Sequence, residues 1–348
     1  MAPEKQVFDP DGNLTLVLPR SSVSMDTSPK TPQKSCLKHK SPPKEEHVHM
    51  QVSSKHMMLA SPVFKAMLTG SFQEGETLRA TGKVEVPLPD DNPIVFTILL
   101  DIIHGRGRRV PRKVPLKLLA LLSIAVDKYQ LQESAGAFSD SWIDGADPPH
   151  LGRMPNCFMW LSISWVFHDS ERFSLAADFL IRCCTGHAPD KYLASENLGQ
   201  SLPIPDTVLD AIQKRRQDTM SAIYAEIAMR INLYMATGID PRCKNQDGKR
   251  AKQDCDAMVL GSLIRHFSGR NMWPAPNPPY MRSSVQDLVY DVKMLRIRSL
   301  CSYFNGDSDC EEGKVEGSRH SIERRIIETV KKIDDKAGQL SIEDFEHN

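Results

Sequence analysis

The chain lacks nearly every signal that would name a chemistry. Among its 348 residues no run reaches the ~18 apolar side chains needed to cross a bilayer; the longest apolar stretch, near Leu116 to Val126, is broken by Lys117 and Ser123. The opening MAPEKQVFDPDG is polar and carries no hydrophobic core of the secretory kind. An excess of one charge is absent too: 44 basic and 44 acidic residues give a formal net charge of zero. A nucleic-acid binder usually shows a global or one-sided basic excess, so nucleic acid is not the expected partner. GxSxG, HExxH, GxxxxGK[ST] and GxGxxG do not occur, and no enzyme is expected. No compact CxxC pair occurs, nor any repeat of 20–50 residues. PNPPY fails as a PPxY ligand because Asn277 stands where proline is needed.

What remains is an ordinary globular composition, 40% apolar and 25% charged. With no membrane or export signal the expected setting is intracellular, nucleus or cytoplasm. The eight cysteines, at 36, 157, 183, 184, 243, 255, 301 and 310, are scattered, as expected of reduced thiols in a reducing compartment.

Periodicity then divides the chain. After the turn signal Asp11-Gly12, Leu14, Leu16 and Leu18 alternate as a short strand, closing a segment 1–18. Residues 19–46, PRSSVSMDTSPKTPQKSCLKHKSPPKEE, hold almost no large apolar side chain and predict a disordered, basic, Ser/Pro-rich linker. Ser28-Pro29, Thr31-Pro32 and Ser41-Pro42 there suit proline-directed kinases; the same dipeptides also arise by chance in Ser/Pro-rich sequence. The lysines from Lys30 to Lys44 support an alternative reading as a nuclear transcriptional regulator touching nucleic acid through this linker.

Order resumes with Val48, Met50 and Val52 on a strand. Ser53 or Ser54 caps a short helix, and Ser61-Pro62 starts another on which Phe64, Met67, Leu68 and Phe72 recur as an apolar stripe. Val84, Val86 and Leu88 alternate as a strand; Asn92-Pro93 opens a helix carrying Val95, Ile98, Leu99, Ile102 and Ile103, ended by Gly105. Pro115 opens a helix through Tyr129. The unit 47–142 therefore reads as α+β, a small sheet with packed helices. Residues 143–348 read as mostly helical: 156–167, 174–184, a long helix from Pro205-Asp206 to about Thr237 stopped by Gly238, AMVLGSLIRHF, a capped helix over SSVQDLVYDVKMLRIRSL, and Ile322–Ile333.

The series MLASPVFKAMLTGSFQEG, VEVPLPDDNPIVFTILLDIIHGR and LLALLSIAVDKYQL resembles the BTB/POZ domain, in order and spacing, over about residues 47 to 142. The chain as a whole resembles the fungal BTB-domain proteins. In that family a strand leads into a helix, an L-A-S-x-V-F-x-A-M-L-like motif, an acidic-rich turn, a strand with a D-D-x-P sequence, and two helices. The resemblance implies a protein-interaction adaptor that forms homodimers or heterodimers by exchanging its first strand and docks other proteins, among them cullin-type ubiquitin ligases and transcriptional regulators. It makes Ser61, Phe64, Met67, Leu68, Ile98, Leu99 and Tyr129 fold residues, with Phe64, Met67 and Leu68 packed inward. It implies no cofactor.

Two features stand outside that resemblance. Cys243, Cys255, Cys301 and Cys310, with His320 nearby, are candidate zinc ligands; isolated reduced cysteines are the alternative at such loose spacing. GDSD (Gly306 to Asp309) resembles a hydrolase nucleophile motif but sits in a late acidic stretch, so Ser308 is discounted.

Overall fold

A computed structural model describes residues 4–20, 46–146, 153–186, 189–194, 196, 198, 200–236, 240–244, 248–303, 321–338 and 340–345. The chain forms two compact units, Met1–Phe173 with Pro189–Ile204, and Ser174–Ala188 with Pro205–Asn348.

The first unit begins with strands β1 (Glu4–Val7), β2 (Leu14–Pro19) and β3 (His47–Val52). Helices α1 (Ser54–Ala60), α2 (Pro62–Thr69) and α3 (Gln73–Thr81) precede β4 (Val84–Pro87). Then come α4 (Pro93–Ile103), α5 (Leu116–Tyr129), α6 (Gln132–Asp144) and α7 (Met154–Phe167). The division between units falls inside α8 (Ser170–Cys183), and α9 (Pro189–Leu193) returns to the first unit.

The four strands form one mixed sheet in the order β1-β3-β2-β4. β2 runs antiparallel to β3, while β1–β3 and β2–β4 are parallel. Register follows the period of two. Leu14, Leu16 and Leu18 face Val52, Met50 and Val48, and Leu14 and Leu16 face Val84 and Val86 on the other side. All eight are buried, so one face of the sheet is core and each such side chain contributes about 1.5–3 kcal/mol of burial. Gly12 is required just before β2: a Cβ there would stand 2.5 Å from the Val52 carbonyl oxygen.

Three expectations change. The strand at 14–18 is not the first but an interior one; β1, mostly exposed, forms the edge. The acidic-rich turn is a helix, α3. The stripe Phe64–Phe72 is broken, because α2 ends at Thr69 and Phe72 falls at the head of α3 outside its periodicity; Phe72 is 59% exposed and Met67 only half-buried.

The second unit is helical: α10 (Asp206–Met235), α11 (Lys249–Ser268), α12 (Val285–Lys293), α13 (Leu300–Tyr303) and α14 (Ile322–Asp335). Its core joins Ile223, Ile227 and Ile231 of α10 to Val259, Leu263 and Phe267 of α11, with Leu288 and Val292 of α12 and Ile326 and Val330 of α14. α11 begins earlier than expected and takes in KRAKQDC; α12 ends at Lys293, so LRIRSL is not its continuation. The expected stop at Gly238 lies outside the described residues. Among the described residues no helix is long and apolar enough to cross a membrane.

Candidate functional site

In the first unit three of the expected fold residues, Ser61, Phe64 and Tyr129, meet in one polar knot. Ser61 closes α1 and caps α2: its Oγ accepts from the Phe64 N–H at 3.1 Å and donates to the Tyr129 carbonyl at 2.6 Å. The Tyr129 ring stacks on Phe64, centroids 4.9 Å apart, and meets the Phe96 edge at 5.4 Å. Its hydroxyl donates at 2.7 Å to Asp91 Oδ2, which also receives the Lys128 ammonium at 2.8 Å. Burial, the hydrogen bond to Asp91 and the charges of Asp91 and Asp90 all push the Tyr129 hydroxyl well above its ordinary pKa, so it stays a donor. Ser61, Phe64, Leu68, Ile98, Leu99 and Tyr129 are buried; Met67 is the half-buried exception. Asp91 is the member that sequence reasoning missed. Its signal was present in LPDDNP, where it stands between the strand and the Asn92 cap.

Large apolar side chains are nevertheless left on the surface of this unit. Leu59 of α1 is 87% exposed, and Phe72 stands out at the head of α3.

In the second unit the structure brings three of the four candidate zinc ligands together. Cys243 precedes α11, Cys255 lies in its second turn and Cys301 is in α13. All three are buried and their Sγ atoms lie within 4.8 Å of one another. Cys301 Sγ is 3.5 Å from Cys243 Sγ and 3.7 Å from Cys255 Sγ. Asp256, 2% exposed, places the Cys243 segment: its carboxylate accepts the Arg242 N–H at 2.6 Å and the Cys243 N–H at 3.0 Å. Burial pushes the Cys255 thiol up to about 12, with the sulfur neighbours adding to the rise and the Cys301 backbone N–H opposing it. The fourth candidate, Cys310, lies outside the described residues, as do His320, Ser308, Ser28, Thr31, Ser41 and nearly all of the linker.

A feature that sequence reading did not register is a cleft of about 760 Å³ lined by Arg265, His266, Arg270, Arg296 and Arg298 beside Met258, Gly261 and Ser262. Arg270 Nε approaches Asp291 at 3.3 Å. So many guanidinium groups around one hollow favour anions. The pattern was hidden because its arginines come from α11, from just beyond its end at Arg270, and from the segment after α12.

Comparison with models of known protein families finds no match, and comparison with curated protein sequences finds none either.

Proposed function

We propose that this chain is a protein-interaction adaptor whose first unit acts as a BTB/POZ-like docking module. The observation that supports the reading is the agreement between motif order and element order. β3 leads to α1, LASPVFKAML forms the turn into α2 and α2 itself, LPDDNP links β4 to α4, and α5 ends on the Tyr129 that closes the knot. The family-like residues serve the scaffold, and the exposed Leu59 and Phe72 supply contact surface. Chemistry is not needed for this role.

Self-association through strand exchange would use β1. β2 is interior, with Leu14, Leu16 and Leu18 fully buried, and its removal would dismantle the sheet; β1 pairs with β3 alone and stands at the edge. The partner class implied by the resemblance is a cullin-type ubiquitin ligase scaffold, for which the chain would recruit substrates.

Light scattering on the full chain and on a chain lacking residues 1–7 tests this reading. The expected result is a dimer that becomes a monomer on deletion with its circular dichroism unchanged, and binding of a purified cullin N-terminal region that Leu59→Asp with Phe72→Asp abolishes. A full chain that is monomeric at every concentration and does not bind the cullin region overturns it.

A further inference from the structure

We propose that Cys243, Cys255 and Cys301 hold a zinc ion as three thiolates. The cysteines come from three separate segments, with Cys301 separated by 58 residues from Cys243 and by 46 from Cys255. They nonetheless point their sulfurs at one place. They form a buried cluster of their own, with Leu300 packed against it, apart from the large apolar core of the same unit.

The spacing fits a metal. Zinc–sulfur bonds of about 2.3 Å in a tetrahedron set the sulfurs about 3.8 Å apart. The separations of 3.5 and 3.7 Å lie close to that edge and far from the ~2.05 Å of a disulfide. The surroundings orient the ligands as supporting partners of metal sites do. Asp256 fixes the backbone at Cys243, and the Cys301 backbone N–H bonds to the Cys255 sulfur.

The charge balance favours a divalent ion over Cu⁺. Binding converts three thiols to thiolates and releases three protons to solvent, so Zn²⁺ leaves a net charge of −1 on the cluster while Cu⁺ would leave −2. In a buried site the smaller residual charge costs less desolvation. Three protein ligands leave one tetrahedral position, taken by water or a further donor. Bound zinc would tie the Cys243 segment and α13 to α11.

The test uses full-length protein purified without chelator. Metal content is read by plasma mass spectrometry; after chelation, cobalt(II) is added and the near-ultraviolet spectrum recorded. The expected result is about one zinc per chain and a thiolate-to-cobalt charge-transfer band that zinc displaces. Cys255→Ser loses both, and Cys183→Ser keeps both. A serine variant can fail to fold, so the wild-type protein has its own readout: Tm falls on chelation and recovers with zinc. The proposal is overturned by a wild-type protein with reduced thiols that takes up no zinc and gives no cobalt band. Copper in place of zinc, a disulfide between any two of the three cysteines, or unchanged zinc affinity in a folded Cys301→Ser also overturns it.

Discussion

The Tyr129 hydroxyl donates to a carboxylate, Asp91, that is 4% exposed and shared with the Lys128 ammonium. Tyr129→Phe keeps the ring contacts with Phe64 and Phe96 and removes only that donor, so it is expected to cost about 2 kcal/mol, read by urea unfolding with amide exchange of β2 and β3 as probe. Arg216 is the counterpart in the second unit. It is fully buried and donates to the carbonyls of Cys184, Pro279, Tyr280 and Ser283. Arg216→Met strands those acceptors and is expected to destabilise the unit by about 3 kcal/mol or more; Arg216→Lys should rescue little, since an ammonium cannot reproduce the guanidinium fork. His104 gives a pH dependence. Its Nε2 accepts the Ser53 N–H at 3.2 Å and its Nδ1–H donates to Leu100 O at 2.9 Å, which fixes a neutral ring. Burial holds its pKa below the ordinary 6.5, His56 and Arg106 reinforce the shift, and the Leu100 bond and Asp9 oppose it. The unfolded chain therefore binds the proton more tightly than the folded one. The contribution to stability is full above about pH 6.5 and is lost as pH falls through the folded-state value. His104→Gln should flatten that acid limb of the urea midpoint against pH; an unchanged slope would assign it elsewhere.

At the scale of elements, capping was the most legible feature because it is local. Asn92 Oδ1 accepts the N–H groups of Ile94 at 2.8 Å and Val95 at 3.4 Å, with Pro93 following it, as NPIVF suggests on its own. Asn92→Ala should cost about 1 kcal/mol and Asn92→Asp much less, both measurable as shifts in the urea midpoint. The alternation of Leu14, Leu16 and Leu18 was equally readable, since period two shows directly which residues face the core. β1 was not. EKQV carries little apolar signal, and the strand exists because β3 offers it a parallel edge, a long-range cause with no local trace. α3 was missed for a different reason. Its Glu74, Glu76 and Gly75 look like a turn, yet acids in the first turn, Arg79 in the last and the left-handed Gly82 beyond it form a helix start and stop. The cysteine cluster was half legible: the residue types stood in the sequence, but packing of α11 against α13, not spacing, gathers them.

For the molecule as a whole, composition did not show the division into units, and the expected linker of 19–46 begins inside β2, at Pro19, with its residues 21–45 outside the described ones. The sequence suggested a boundary at 142, whereas the first compact unit continues to Phe173 and the division falls within α8, where no proline or glycine marks it. The hairpin has a simpler message. The last pair of β2 and β3 is Pro19 with His47, and just beyond it Arg20 N donates to Glu46 O at 2.8 Å. Antiparallel strands that meet in this way need a link of only about two residues. Replacing residues 22–44 by Asn-Gly should leave the sheet's amide protection intact; its loss would show that the excised segment supports the fold. The strand pairing is complete at Arg20 and Glu46, so what the intervening sequence says and what the sheet needs are separable: Ser28, Thr31 and Ser41 can be rewritten without touching a residue that pairs β2 with β3.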